Sequence, residues 1–449
     1  MKKIGSLFIL MNVFLGIAEA QNKDASSSNF SLQQAIEYAY QHQKDLLNAD
    51  LDVQIAKAKV NETIGIGLPQ VSASFDVKDF FALNYLFPGG FIPGTEPGVF
   101  VGFPIKTPSY SATAGVQATQ ILFDGSYLVG LQATKTYREF SEKNLIRSKI
   151  DVVVSVSKAY YNLLVNRQRL NLVDANVARL KKLKDDTQAM YDNGFVEKID
   201  IDRVILTYNN VVTEKEKTVR LIALSEYFLK LQMGMDMNST LQLTDSLNAD
   251  QVKSSSSSAE KISATNRIEY SLQETQKHLL QLDLKRYRSQ YLPSLILYGN
   301  INTTEQRPKF DVFDTDKKWY PTGFVGASLT LPIFSGLQKH YRAGQANLSI
   351  RKLNNEMENT LRGLNFETSS SQTALVNATA TLTTQEKNLE LANEVYSVSK
   401  LKYDQGVGSN LEVINAETSL KEAQINYYNS LYEALVAKVD LDKALGNIK

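Results

Sequence analysis

The sequence predicts a mainly α-helical protein that also carries membrane-type β-strands, written as two successive copies of one pattern. Three observations predict it. Tyr191-Asp192-Asn193-Gly194 recurs as Tyr403-Asp404-Gln405-Gly406, an offset of 212 residues in a chain of 449. Ser126 to Asp192 holds no proline and one glycine, Gly130, across 67 residues, so nothing interrupts a helix there. Short stretches ahead of these helices instead alternate apolar and polar residues one by one, the period of a half-buried strand.

The chain begins with Lys2 and Lys3, an apolar run from Ile4 to Ile17 and Ala18-Glu19-Ala20, the layout of a secretory leader over residues 1–20. Loss of Lys2, Lys3 and Glu19 takes the formal net charge from +1 to zero, which gives no pull toward nucleic acid. There is no cysteine, which excludes disulfides, thiolate metal sites, thiol nucleophiles and a lipid-anchored N-terminal cysteine. His42, His278 and His340 lack the i, i+4 spacing of a helical metal site. No metal, cofactor or catalytic activity is expected. No later apolar run reaches the eighteen or so residues of a membrane-crossing helix. Membrane entry would therefore require strands.

The first copy is expected over residues 21–234. It opens with a helix from about Ser31 to Ile66, followed by a strand pair over about 69–123, a long helix over 126–192 and a return helix over 198–233. The long helix would reach about 100 Å at 1.5 Å per residue. Leu163, Leu170 and Val177 recur at sevens, as do Val173 and Leu180, the seam of coiled-coil packing. The return helix is about half as long. With the opening helix added, two shorter helices stacked end to end match the long one. A segment over 235–265 follows, with the flexible run Ser254 to Ser258.

The second copy, over 266–449, repeats the order with a helix from Asn266 to Tyr291, strands over about 293–333, a long helix over 337–403 and a return helix over 410–445. Leu68-Pro69 recurs as Leu292-Pro293 and Phe123-Asp124-Gly125 as Phe334-Ser335-Gly336. The first of these pairs is displaced by about a dozen extra residues around PGGFIPGTEPGVFVGFP, whose Pro and Gly content marks an irregular loop. In the final helix Tyr427, Ala434 and Leu441 interleave with Ser430, Ala437 and Ala444, small residues that allow close helix approach.

Val71, Ala73, Phe75 and Val77 alternate with Ser72, Ser74, Asp76 and Lys78; Tyr110 to Thr119 and Phe324 to Leu331 repeat the rule. The strand from Ser294 is less regular, because Ile296 and Tyr298 share a face with Asn300 and Asn302. About ten residues of such alternation fit a transmembrane barrel strand. Phe80, Phe81, Tyr110, Tyr298, Trp319 and Tyr320 near the strand ends suit an aromatic girdle. Four strands cannot close a barrel, and open edges in hydrocarbon leave costly unpaired backbone groups. Other copies must close them. A trimer gives about twelve strands, within the range of outer-membrane barrels, whereas about eight fill their own interior.

SLQQAIEYAYQHQKDLLNA, LPQVSAS, YLPSLIL, ILFDGS, LPIFSG and the two Tyr-x-x-Gly turns, in this order, resemble the TolC-like outer-membrane efflux protein family over essentially the mature chain. The resemblance implies a homotrimeric channel-tunnel with a twelve-stranded barrel in the lipid of the cell outer membrane, a helical periplasmic tunnel and an equatorial girdle that includes 236–265. It implies as partners a periplasmic adaptor and an inner-membrane pump, proton-driven or of the ABC type, with substrates conducted passively in drug efflux or type I secretion. The turns, with Tyr191, Gly194 and Gly406, would lie at the periplasmic tip. Glycine suits the positive φ of a tight reversal. Asp200 and Glu412 each follow a turn glycine by six residues. Both also suit a helix N-terminus, where the macrodipole favours acids. By resemblance, Glu412 helps form a narrow acidic entrance, a second acid of that ring is Asn415 here, and Asp200 with Tyr403 matches a polar link that holds the tip shut. The basic partner of another such link is replaced by Gly408, so the closed state must be fastened differently. The rival reading is a periplasmic adaptor, also exported and also bearing a helical hairpin; such proteins carry one hairpin between β-rich modules, not two matched halves with strand pairs.

Overall fold

The computed structural model describes residues 28–82, 85–86, 89–90, 101–102, 105–106, 108–247, 264–311, 314 and 316–448. The expected leader over 1–20, most of the Pro/Gly-rich loop and the run Ser254 to Ser258 lie outside the described residues.

The chain opens with strand β1, Ser28–Phe30, then helices α1, Leu32–His42, and α2, Lys44–Ile66. The sequence pattern predicts one helix here. It breaks at Gln43, whose backbone is extended (φ −68°, ψ 123°) and whose side-chain oxygen accepts from Leu46 N at 2.7 Å, so Gln43 caps a new helix. Ser31 begins α1 with a reciprocal capping box to Gln34. Strand β2, Gln70–Asp79, leads to four two-residue strands, β3 to β6, at Tyr85–Leu86, Gly89–Gly90, Val101–Gly102 and Ile105–Lys106. Strand β7, Tyr110–Phe123, runs into helix α3, Gly125–Asp192, which Asp124 caps by accepting from Tyr127 N at 2.8 Å. Helix α4, Lys198–Met233, returns, and β8, Leu241–Leu243, pairs in parallel with β1. The second part comprises α5, Ile268–Ser289, strands β9, Ser294–Arg307, and β10, Tyr320–Thr330, and helices α6, Gln338–Asp404, and α7, Asn410–Leu445.

β10, β9, β7 and β2 form one antiparallel sheet in that order. The register places Val71, Ala73, Phe75 and Val77 beside Ala118, Val116, Ala114 and Ala112. On the same face β9 and β10 present Leu295, Leu297, Ile301, Val325, Ala327 and Leu329. This face is open in a single chain: Ile301 is 72 %, Val325 81 % and Leu329 69 % exposed. The opposite face carries Ser72, Ser74, Gln117, Asn300, Asn302 and Thr322. Tyr298 and Tyr320, expected among girdle aromatics, lie on this polar face; the Tyr298 ring packs edge-on to Phe324 at 6.1 Å.

The helices keep the lateral order of the strands. α3 packs against α2 and α4 on one side and against α5 and α7 on the other, while α6 packs against α5 and α7. Across the molecule this reads α6, then α5 stacked on α7, then α3, then α2 stacked on α4, the helices attached to β10, β9, β7 and β2 respectively. α3 spans about 100 Å. Where α4 meets the α1–α2 break, Gly234 takes φ +69°, and a Cβ there would lie 2.5 Å from His42 O. Phe30, Tyr160, Leu163, Leu229 and Met233 form a core at this level. The Tyr160 hydroxyl donates to Phe30 O and Asp245 Oδ2, both at 3.0 Å, and burial raises its pKa. Leu382, Leu431 and Leu435 tie α6 to α7, and Val173, Leu180, Val204, Tyr403 and Val413 form a third core toward the far end. Each fully buried large side chain contributes about 1.5–3 kcal/mol.

Candidate functional site at the far tip of the helical hairpins

Both helix reversals lie at the end of the molecule away from the sheet. Each closes with the same backbone pattern. Asn193 N donates to Ala189 O, Gly194 N to Tyr191 O and Phe195 N to Met190 O; Gln405, Gly406 and Val407 bond in the same way to Leu401, Tyr403 and Lys402. Gly194 and Gly406 hold φ +77° and +71°, the left-handed conformation that ends a helix without a Cβ clash. Phe195 and Val407, one residue on, are 81 % and 80 % exposed, an apolar residue on each turn.

Tyr191 is half-exposed on the first turn. Tyr403, its counterpart, is buried against Val204 and Val413, and its hydroxyl lies 3.4 Å from Thr187 Oγ1 and 3.5 Å from Met190 Sδ. Asp200 occupies the first turn of α4, where its carboxylate accepts from Glu197 N at 3.4 Å and stands 3.8 Å from Arg203 Nη1. The Tyr403 hydroxyl is thus directed at α3, and the Asp200 carboxylate stays within its own helix end. The two turns are joined instead through the Asp200 carbonyl, which accepts from Asn410 Nδ2 at 3.0 Å. Glu412 is exposed in the first turn of α7, its backbone N–H capped by Ser409 Oγ at 3.2 Å, and Asn415 is exposed three residues on. Gly408 donates to Lys402 O at 3.0 Å, and a Cβ there would lie 2.9 Å from Tyr403 N, so a basic side chain at 408 would require the turn to shift.

Asn410, Thr187 and a polar cluster deeper in the seam between α3 and α7 were not singled out from the sequence. In that cluster Arg179 holds Glu417 through Nη2 at 3.2 Å and Nε at 3.3 Å, Asn176 donates to Gln424 at 3.2 Å, and Arg179 also bonds Asn176. The Arg179 guanidinium lies 5.4 Å from the Tyr396 ring centroid. Burial pushes the Glu417 carboxyl above the usual carboxylate range, against the opposing pull of Arg179. A signal was available: Val413, Glu417, Leu420 and Gln424 recur at helical spacing, so two polar residues interrupt a buried stripe.

A sheet with one open apolar face, continued by a layer of tunnel-length helices in the same lateral order, is the fold of an outer-membrane channel subunit. Solved structures agree: the Campylobacter jejuni CmeC outer membrane channel superposes with a TM-score of 0.73 at 17 % identity, over 92 % of this chain and 85 % of that one. In sequence, the outer membrane efflux protein family matches residues 281–447. Pseudomonas putida TtgC, a probable efflux pump outer membrane protein, is 23 % identical over 93 % of this chain and 83 % of its own. Vibrio cholerae outer membrane protein TolC is 19 % identical over 75 % and 77 %. In sequence and in fold the chain resembles the TolC-like outer membrane efflux proteins. The adaptor reading is set aside, since the relatives are outer membrane components.

Proposed function

We propose that this chain is the outer-membrane channel-tunnel of a tripartite efflux or type I secretion assembly, a homotrimer that passively conducts cargo from an inner-membrane pump across the periplasm and outer membrane. The observation that carries this reading is the shared lateral order of strands and helices. β2 with α2 and α4 forms one border of the molecule, and β10 with α6 forms the other. One rotation placing the first border of a copy against the second border of its neighbour completes sheet and helical layer together, a heterologous contact that closes into a ring. Three copies give about twelve strands with the apolar face outward in lipid and the polar face lining a lumen.

Similarity to an efflux pump outer membrane protein and to TolC supports an adaptor and an inner-membrane pump, proton-driven or ABC-type, as partners. The family is one of channels, and passive transport is the reading for this chain. The two turns then ring the periplasmic mouth, where Glu412 and Asn415 face the entrance and Asp200 and Tyr403 stabilise the closed tip. With Asn415 an amide, the entrance carries less negative charge than two carboxylates per chain would give. Purified protein in a planar bilayer tests this: cation-selective current that weakens in Glu412→Ala supports it, and the absence of pores from correctly inserted protein overturns it.

A further inference from the structure

We infer that Arg179 and Glu417, with Asn176 and Gln424 beside them, form the clasp that keeps the two hairpins of one chain in register near the tip, and that this clasp is built to release. The inference rests on the channel reading, because it assigns a place where the mouth parts.

The geometry singles out this seam. Arg179 and Asn176 stand on α3, the long helix of the first hairpin; Glu417 and Gln424 stand on α7, the return helix of the second. Widening the mouth requires the hairpins to move apart, and α3 against α7 is the main contact between them along the lower half of the molecule. Other contacts across the seam are of different character. Lys158–Asp440 and Lys443–Asp151 are half-exposed pairs beside the Leu431–Leu445 core, at the end of α7 far from the tip. Asn410 with the Asp200 carbonyl and Thr187 with Tyr403 are neutral. At Arg179–Glu417 the carboxylate is 5 % exposed and held by two N–H donors, and Tyr396 of α6 covers the guanidinium. Both long helices and one return helix therefore meet at one charged contact.

Its energetics suit release. An ion pair taken out of water recovers its desolvation cost poorly, and apolar residues of similar volume hold such a seam at least as well; removal of one partner is far worse, because it strands a buried charge. The upward displacement of the Glu417 carboxyl follows from the same imbalance, with burial outweighing Arg179. Parting of the helices rehydrates both groups, so the pair specifies the closed register without making that register hard to leave. Polar groups are best attested in this role of setting register.

The clasp makes single and double substitutions act in opposite directions. Arg179→Ala leaves Glu417 buried and unpaired, which favours the parted state; Arg179→Met with Glu417→Met fills the seam with apolar side chains, which favours the closed state. Two readouts apply to the full-length protein. The first is bilayer conductance at neutral pH: Arg179→Ala is expected to raise mean current on the order of tenfold, and the double variant to lie at or below wild type. The second needs no pore. The chain has no cysteine, so spin labels at Lys182→Cys and Thr418→Cys, exposed positions on α3 and α7, report the seam directly; their distance distribution should broaden outward in Arg179→Ala and stay narrow in the double variant. Where Arg179→Ala fails to reach the membrane, Arg179→Gln makes the same comparison. An unchanged distribution in the single variant, or equal broadening in single and double, overturns the clasp. Normal label behaviour with no wild-type current would instead count against the channel reading and leave the clasp standing.

Discussion

Substitution of Gly234 by alanine is expected to damage the protein more than the same change at Gly194, although both glycines hold similar left-handed backbones, φ +69° and +77°. The difference is space. At Gly194 nothing lies within 4 Å of an added Cβ, so the cost is the left-handed penalty alone, about 1–2 kcal/mol. At Gly234 the Cβ would stand 2.5 Å from His42 O, 2.7 Å from His42 C and 2.8 Å from Gln43 Cα. These are backbone atoms of the α1–α2 junction and cannot rotate away. Overpacking adds about 1–3 kcal/mol, so Gly234→Ala should cost about 2–5 kcal/mol in all. Loss of helical circular dichroism on heating, at one fixed scan rate in detergent, ranks the variants even where unfolding is irreversible. Wild type should melt last and Gly234→Ala first, with Gly194→Ala between. Equal shifts for the two alanines would refute the backbone clash where α4 meets the α1–α2 break.

Tyr403→Phe removes a hydroxyl whose contacts are long, 3.4 and 3.5 Å, and should cost less than about 1 kcal/mol, whereas Tyr403→Ala empties a buried site and should cost about 3–5 kcal/mol; the same melting experiment separates them. Because burial raises the pKa of Glu417, the folded chain holds that proton more tightly than the unfolded chain does. Stability from this group is therefore fully present at acid pH and is lost as pH rises through the raised pKa. The melting temperature of Glu417→Gln relative to wild type should accordingly grow as pH rises above the ordinary carboxylate range; a difference that shrinks with pH would be the wrong sign. Val325→Lys places a charge on the apolar face of β10 and should cost about 2–4 kcal/mol of membrane stability, while Ser328→Lys on the polar face should assemble normally, as judged by recovery from outer membranes.

Much of the fold was legible because its signals are local. The absence of proline between Ser126 and Asp192 allows one helix, which runs from Gly125 to Asp192. Paired glycines such as Gly194 and Gly406 mark reversals that only a left-handed residue makes cheaply. Strand faces followed from alternation even in β9, where Tyr298 and Asn300 do share a face. Features set by distant partners were less legible. The break at Gln43 exists because the end of α4 abuts it through Gly234, a contact between segments some 190 residues apart. The pairing of β1 with β8 joins two three-residue strands too short to announce themselves. At the tip, Asp200 and Glu412 were read from their spacing after glycine, and both occupy helix first turns. The inter-hairpin contacts through Asn410 and Arg179–Glu417 depend on how α3 meets α7, which no local pattern encodes beyond the polar interruptions of a buried stripe.

The number of copies in the membrane-extracted assembly decides most directly whether the open borders of one molecule are closed by others. Native mass spectrometry of the protein released from outer membranes in detergent should give three chains and no free monomer. A stable, water-soluble single chain obtained without detergent would contradict the lipid-facing sheet and the shared tunnel alike.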